Sequence, residues 1–143
     1  MSVRRAEERD ADAVLALMAG LGRPAVAEDS SRQRETFLAH LTDDSCTVFL
    51  AEDGGSAAGA ASLWIRPRLN WTTPEACVPD LYVDPAYRRR GHARSLLAAC
   101  ADEGRRRGCH RLVLESGHQR AKAHRLYESF GLVHHGRAYF LPL

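Results

Sequence analysis

Asp80-Leu81-Tyr82-Val83-Asp84-Pro85 runs directly into Ala86-Tyr87-Arg88-Arg89-Arg90-Gly91-His92-Ala93. A short apolar strand, a proline-bounded turn and a basic, glycine-containing entry into a helix can be satisfied in few ways. The strand must lie in a sheet, and the helix must begin where that strand leaves it. A helix starting there presents N–H groups with no intrahelical partner and the positive end of its dipole. That arrangement suits a phosphate or pyrophosphate. Arg88, Arg89 and Arg90 add charge-assisted donors, with Arg94 one step further into the helix. The junction therefore predicts a docking point for an anionic ligand.

Around it, the hydrophobic pattern switches between strand and helix periods. Residues 3–6 predict a short first strand. Asp10 stands where it would cap a helix carrying Val14, Leu17, Met18 and Leu21 on one face. A second helix with Phe37, Leu38 and Leu41 follows the polar segment that starts at Glu28. Residues 46–52 and 57–65 read as strands joined by an Asp53-Gly54-Gly55 hairpin turn. After a loop over 66–74, residues 75–83 return as a strand. Pro79 interrupts it, removing a ladder hydrogen bond, which predicts a bulge or a divergence from the neighbouring strand.

Beyond Gly91, the residues Ala93, Leu96, Leu97, Cys100 and Ala101 share one helix face. Residues 111–115 read as a buried strand. Ser116 and Gln119 have capping-box spacing for a last helix bearing Ala123, Leu126, Tyr127 and Phe130. Residues 132–143 are expected to add one or two strands about a turn at His135-Gly136. Strands alternating with helices from Glu75 onward imply a parallel pair within a mixed sheet. The expectation is one α/β (α+β) domain over residues 1–143.

The chain's 143 residues, 45% of them hydrophobic, suffice for a core without staples. A net charge of +2 is too small to argue for nucleic acid, and the arginine runs lack the interleaved aromatics of a single-strand platform. Arg105, Arg106 and Arg107 read as a solvated helix end, where cations complement the dipole. Four cysteines without a CxxC pair and seven histidines without zinc spacing predict no metal. Cys100 reads as a buried thiol. No signal-like segment follows Met1 and no apolar run could span a bilayer, so a cytoplasmic protein without a membrane partner is expected.

Arg88-Arg89-Arg90-Gly91-His92-Ala93 resembles the Arg/Gln-x-x-Gly-x-Gly/Ala loop of the GNAT acyl-CoA-dependent N-acetyltransferases. Residues 81–85 resemble that family's fourth strand and its exit. Ala123-His124-Arg125-Leu126-Tyr127-Glu128-Ser129-Phe130-Gly131-Leu132 resembles its Ala-x-x-x-Tyr-x-x-x-Gly-Phe helix. The two motifs stand in the family's order, with one helix and one strand between them. The resemblance implies a mixed central sheet of six to seven strands flanked by about four helices. It also implies a splayed cleft between the family's fourth and fifth strands.

The resemblance further implies acetyl-CoA as co-substrate. Its pyrophosphate would rest on the N–H groups around Arg89 to Ala93, and its pantetheine arm would pair with the backbone of Leu81, Tyr82 and Val83. Tyr127 would protonate the departing thiolate. Asp80, Glu75, Glu115 and Glu28 are the carboxylates that could relieve the amine of its proton. Relatives often carry a Glu-Asp pair before this strand; here Pro79 takes the glutamate position, which leaves Asp80. Arg120 stands where many relatives have an asparagine that contacts the cofactor. Trp64 reads as core and Trp71 as a loop aromatic that could meet a substrate.

The reading is an N-acetyltransferase acting on a primary amine of a small molecule by direct attack. A protein lysine or N-terminus is the alternative acceptor, and a non-catalytic acyl-CoA-binding regulatory module the alternative role. A homodimer through exchange of the C-terminal segment is a further expectation.

Overall fold

The computed structural model describes residues 2–21, 30–114, 121–136 and 138–143. The backbone forms two units, residues 1–113 and 114–143, taken in turn. The first holds strands β1 (Ser2–Arg5), β2 (Cys46–Asp53), β3 (Ser56–Arg66), β4 (Glu75–Val78) and β5 (Leu81–Val83). It also holds helices α1 (Ala11–Ala19), α2 (Ser30–Thr42) and α3 (His92–Arg106). β6 (Leu112–Leu114) runs across the boundary, and α4 (Ala121–Phe130) belongs to the second unit. Six strands and four α-helices among the described residues agree with the architecture expected from the resemblance.

The sheet runs β1-β2-β3-β4-β6, with β5 paired to β3. Its first strands are antiparallel, the Gly54-Gly55 turn folding β3 back on β2. His110 N donates to Pro74 O at 3.1 Å and Ala76 N to Arg111 O at 2.9 Å, so both chains advance together, as in a parallel pair. α3 supplies the crossover between them.

β4 and β5 are the two halves of the strand that Pro79 was expected to interrupt. Trp64 lies opposite Cys77, but Ala61 lies opposite Leu81, so one extra residue is accommodated between the halves. This is a bulge. Ser62 stabilises it from both sides: its N–H donates to Asp80 O at 2.9 Å, and its hydroxyl accepts from Asp80 N at 3.1 Å.

On one sheet face Val14 and Leu17 of α1 and Phe37 of α2 pack over Val48, Leu50 and Ala60. α3 contributes the buried Leu96, Leu97 and Cys100. Cys100 is the buried thiol expected, and burial pushes its pKa up to about 12. Asp10 corrects the sequence reading. It makes no side-chain cap on α1 and closes a 3₁₀ turn instead, accepting from Glu7 N at 2.7 Å and from both Nη atoms of Arg4 at 2.8 Å. An arginine fork outcompetes a cap because it adds charge to two parallel bonds.

In the second unit, α4 is followed by Gly131 at φ +113°, as its stop position requires. The strands expected over 132–143 are absent among the described residues there. Val133, Tyr139, Phe140, Leu141 and Leu143 are instead exposed. A strand needs a partner as well as a pattern. No helix among the described residues is long and apolar enough to cross a membrane.

Candidate active site

β5 leads into the strand-to-helix junction. Asp84 turns the chain, its carboxylate accepting from Ala86 N at 2.8 Å above Pro85. Two left-handed residues follow, Arg89 at φ +63° and Gly91 at φ +84°. A left-handed arginine is unusual, and alternation of backbone handedness turns successive N–H groups toward one side. Gly91 is the N-cap of α3 and offers no side-chain cap. The first intrahelical bond runs from Ser95 N to Gly91 O, so the N–H groups of His92 and Ala93 precede it. A Cβ at Gly91 would meet no atom of the described residues within 4 Å. The space in front of the loop is open.

The side chains divide differently from the sequence expectation. Arg88 Nε donates to Val83 O at 3.1 Å, and its guanidinium lies over the Tyr82 ring. Arg90 reaches Asp53 Oδ2 at 3.2 Å and stacks over Tyr87. His92 is 1% exposed, and its Nε2 donates to the same Asp53 oxygen at 2.9 Å. His92 first, then Arg90, holds the Asp53 carboxyl below its usual range. These three side chains brace the loop against β5 and the β2–β3 hairpin. Arg89 is exposed without a partner among the described residues, and Arg94 is exposed on α3. Arg89 is uncommitted, and Arg88 and Arg90 each keep the donors they do not spend on Val83 and Asp53.

The adjoining strand has a usable edge. Bonds from Ser62 N to Asp80 O and from Asp84 N to Ala58 O mark every second residue as facing β3. Tyr82 falls in that phase, so its N–H and C=O face β3, and its ring packs on Gly20, where a Cβ would sit 2.2 Å from Tyr82 Cζ. Tyr82 is therefore not part of the free edge. Leu81 and Val83 point their backbone groups the other way, where β5 has no partner strand among the described residues.

The acetyltransferase (GNAT) family model matches residues 14–132. The chain belongs to the GNAT acetyltransferase family. Members of that family are acetyl-CoA-dependent acyltransferases. The chain is 30% identical over 135 residues to the uncharacterized N-acetyltransferase YhfO of Bacillus subtilis (strain 168), covering 92% of this chain and 89% of that protein. Its fold is that of the aminoglycoside acetyltransferase AAC(6')-Iy, solved with a bisubstrate analog (TM-score 0.88, 21% identity, 99% and 97% of the two chains). It is also that of the ribosomal-protein-alanine N-acetyltransferase from Brucella melitensis biovar Abortus 2308 (TM-score 0.82, 20% identity, 99% and 98%).

In GNAT terms β4 and β5 together are the family's fourth strand and β6 its fifth. The carboxylates read from the sequence fare unequally. Asp80 sits in the bulge, its Oδ2 accepting from Ser62 Oγ at 2.7 Å, while its Oδ1 has no partner among the described residues. Glu75 is a correction. Its side chain is fully buried and grips Arg66, Arg68 and Arg111. Burial alone would raise its pKa, but the hydrogen bonds from Arg66, Arg111 and Arg68 outweigh burial and bring it down to about 2. So weak a base, walled in by cations, is structural. Trp64 is a second correction: it is 42% exposed rather than core. Tyr127 lies on α4 in the second unit and is buried. Glu115, Arg120, Glu28 and the Ser116–Gln119 box lie outside the described residues.

Proposed function

We propose that this GNAT domain transfers an acetyl group from acetyl-CoA to a primary amine of a small molecule by direct attack. The observation that carries the reading is the uncapped, left-handed loop at the start of α3, beside a strand with one free edge. The loop fits a pyrophosphate because Gly91 leaves the space before it open and Arg89 is uncommitted. The edge fits the peptide-like pantetheine arm because Leu81 and the N–H of Val83 are available for strand-like pairing. An N–H of this edge also polarises the thioester carbonyl.

An alkylamine with a pKa of ~10.4 is protonated at neutral pH, and deprotonating it costs about 4–5 kcal/mol. Asp80 is the carboxylate best suited to receive that proton through water, since Oδ1 is free while Oδ2 is held by Ser62. Glu115 keeps its place as a second acceptor of the proton. The amine lone pair then forms the new C–N bond, the C–S bond breaks, Tyr127 gives its phenolic proton to the departing sulfur, and the proton that the acylated nitrogen sheds restores the phenol through solvent.

Asp80→Asn is expected to lower kcat/KM about tenfold and to shift the acidic limb of the pH–rate profile, with the Kd for acetyl-CoA unchanged. An unaltered profile would reduce Asp80 to a partner of Ser62.

A further inference from the structure

The chain has two tryptophans, and both stand at the β3–β4 end of the sheet within an arginine cluster that the acetyl-transfer chemistry does not use. Arg66 lies opposite Glu75 across the ladder, and its Nε donates to Oε1 at 2.8 Å. Arg68 Nη1 donates to the same oxygen at 3.0 Å, and Arg111 Nε to Oε2 at 2.9 Å. The carboxylate is 0% exposed, whereas the three arginine side chains keep 33%, 35% and 31% exposure.

One guanidinium would neutralise Glu75. Three leave a local excess of positive charge, and neither Arg68 nor Arg111 has another carboxylate partner among the described residues. Each uses a single N–H on Glu75, so the rest of its donor fork is available. The indoles stand beside two of the three guanidinium groups. Arg66 lies over Trp64 and Arg111 over Trp71, at 5.5 and 5.7 Å from the ring centres. Trp71 is 48% exposed and stacks on His110 at 4.1 Å. Thr73 Oγ1 lies 3.0 Å from His110 Nδ1, and His110 Nε2 is buried without a partner among the described residues.

One carboxylate holds all three arginines from below, and the two rings steady Arg66 and Arg111 from the side, so the outward donors are preorganised rather than free to relax. Mutual repulsion of the surplus cations falls when an anion arrives. We propose that this surface is a binding site for an aromatic anion, a carboxylate or phosphate carried on a planar ring, with the anion on Arg68 and Arg111 and the ring against an indole. The site goes beyond the acetyl-transfer reading and does not rest on it.

Because both tryptophans belong to the platform, fluorescence excited selectively in tryptophan reports it, free of the four tyrosines. The whole protein is titrated with hippurate, phenyl phosphate and the neutral benzamide. A saturable change with either anion, weakened by added sodium chloride and absent with benzamide, is expected. Response to one anion only assigns the carboxylate or the phosphate as the recognised group. Arg68→Gln, which leaves Glu75 with Arg66 and Arg111, is expected to weaken binding about tenfold. No saturable response to either anion overturns the site, as does an equal response to benzamide. Wild-type affinity in Arg68→Gln, or affinity indifferent to salt, does the same.

Discussion

Gly91→Glu is expected to abolish acetyl-CoA binding while the fold persists. The side chain itself has room, since a Cβ there meets no atom of the described residues within 4 Å. Two terms act together. A non-glycine residue at φ +84° costs about 1–2 kcal/mol of local strain. A carboxylate also enters the space where the N–H groups and Arg89 would receive phosphate, replacing attraction by repulsion. A loss of at least about a hundredfold in Kd follows, since each 1.4 kcal/mol is a factor of ten. Calorimetry with acetyl-CoA measures it, and a thermal melt separates loss of binding from loss of fold. Gly91→Asn, which tolerates the left-handed conformation and carries no charge, should lose far less. Undiminished affinity in Gly91→Glu would remove the loop from the site.

Tyr127→Phe is expected to lower kcat by about a hundredfold or more, the range of a positioned general acid. The ring stays, so packing is conserved and only the proton is lost. The Kd for acetyl-CoA should therefore change little, and activity should recover with acyl donors whose thiol leaving group is more acidic. Equal kcat in the variant would return Tyr127 to the packing of α4. A parallel loss of affinity and stability would do the same.

The parts of this account legible in the sequence are those with local causes. Asp84-Pro85 sets the turn, Gly91 takes the left-handed N-cap, and Pro79 cannot complete a ladder, so junction and bulge follow from neighbouring residues. The Glu75 cluster was not legible because Arg66, Arg68 and Arg111 reach it through strand register and the β4–β6 pairing. Trp64 misleads for a similar reason. Alternation puts Trp64 on the face of Arg66, but the small, buried residues before it in β3 hide that this face is uncovered there. Asp10 had cap spacing, yet Arg4 on β1 took its carboxylate. Within the arginine run, composition could not distinguish Arg88 and Arg90, committed to Val83 and Asp53, from the uncommitted Arg89. The final segment has apolar residues enough for a strand, but pairing is non-local and a pattern cannot supply it.

The central claim, acetyl transfer to a small amine, is tested most directly by acetyl-CoA-dependent release of free thiol. The panel is alkylamines, polyamines, amino acids, aminoglycosides and lysine peptides. The account predicts release that depends on one class of small amine and matches the acetylated product mole for mole. Tight binding of acetyl-CoA without amine-dependent release across the panel and across pH would contradict it, leaving a binding module. Release with the peptides alone would move the acceptor to protein.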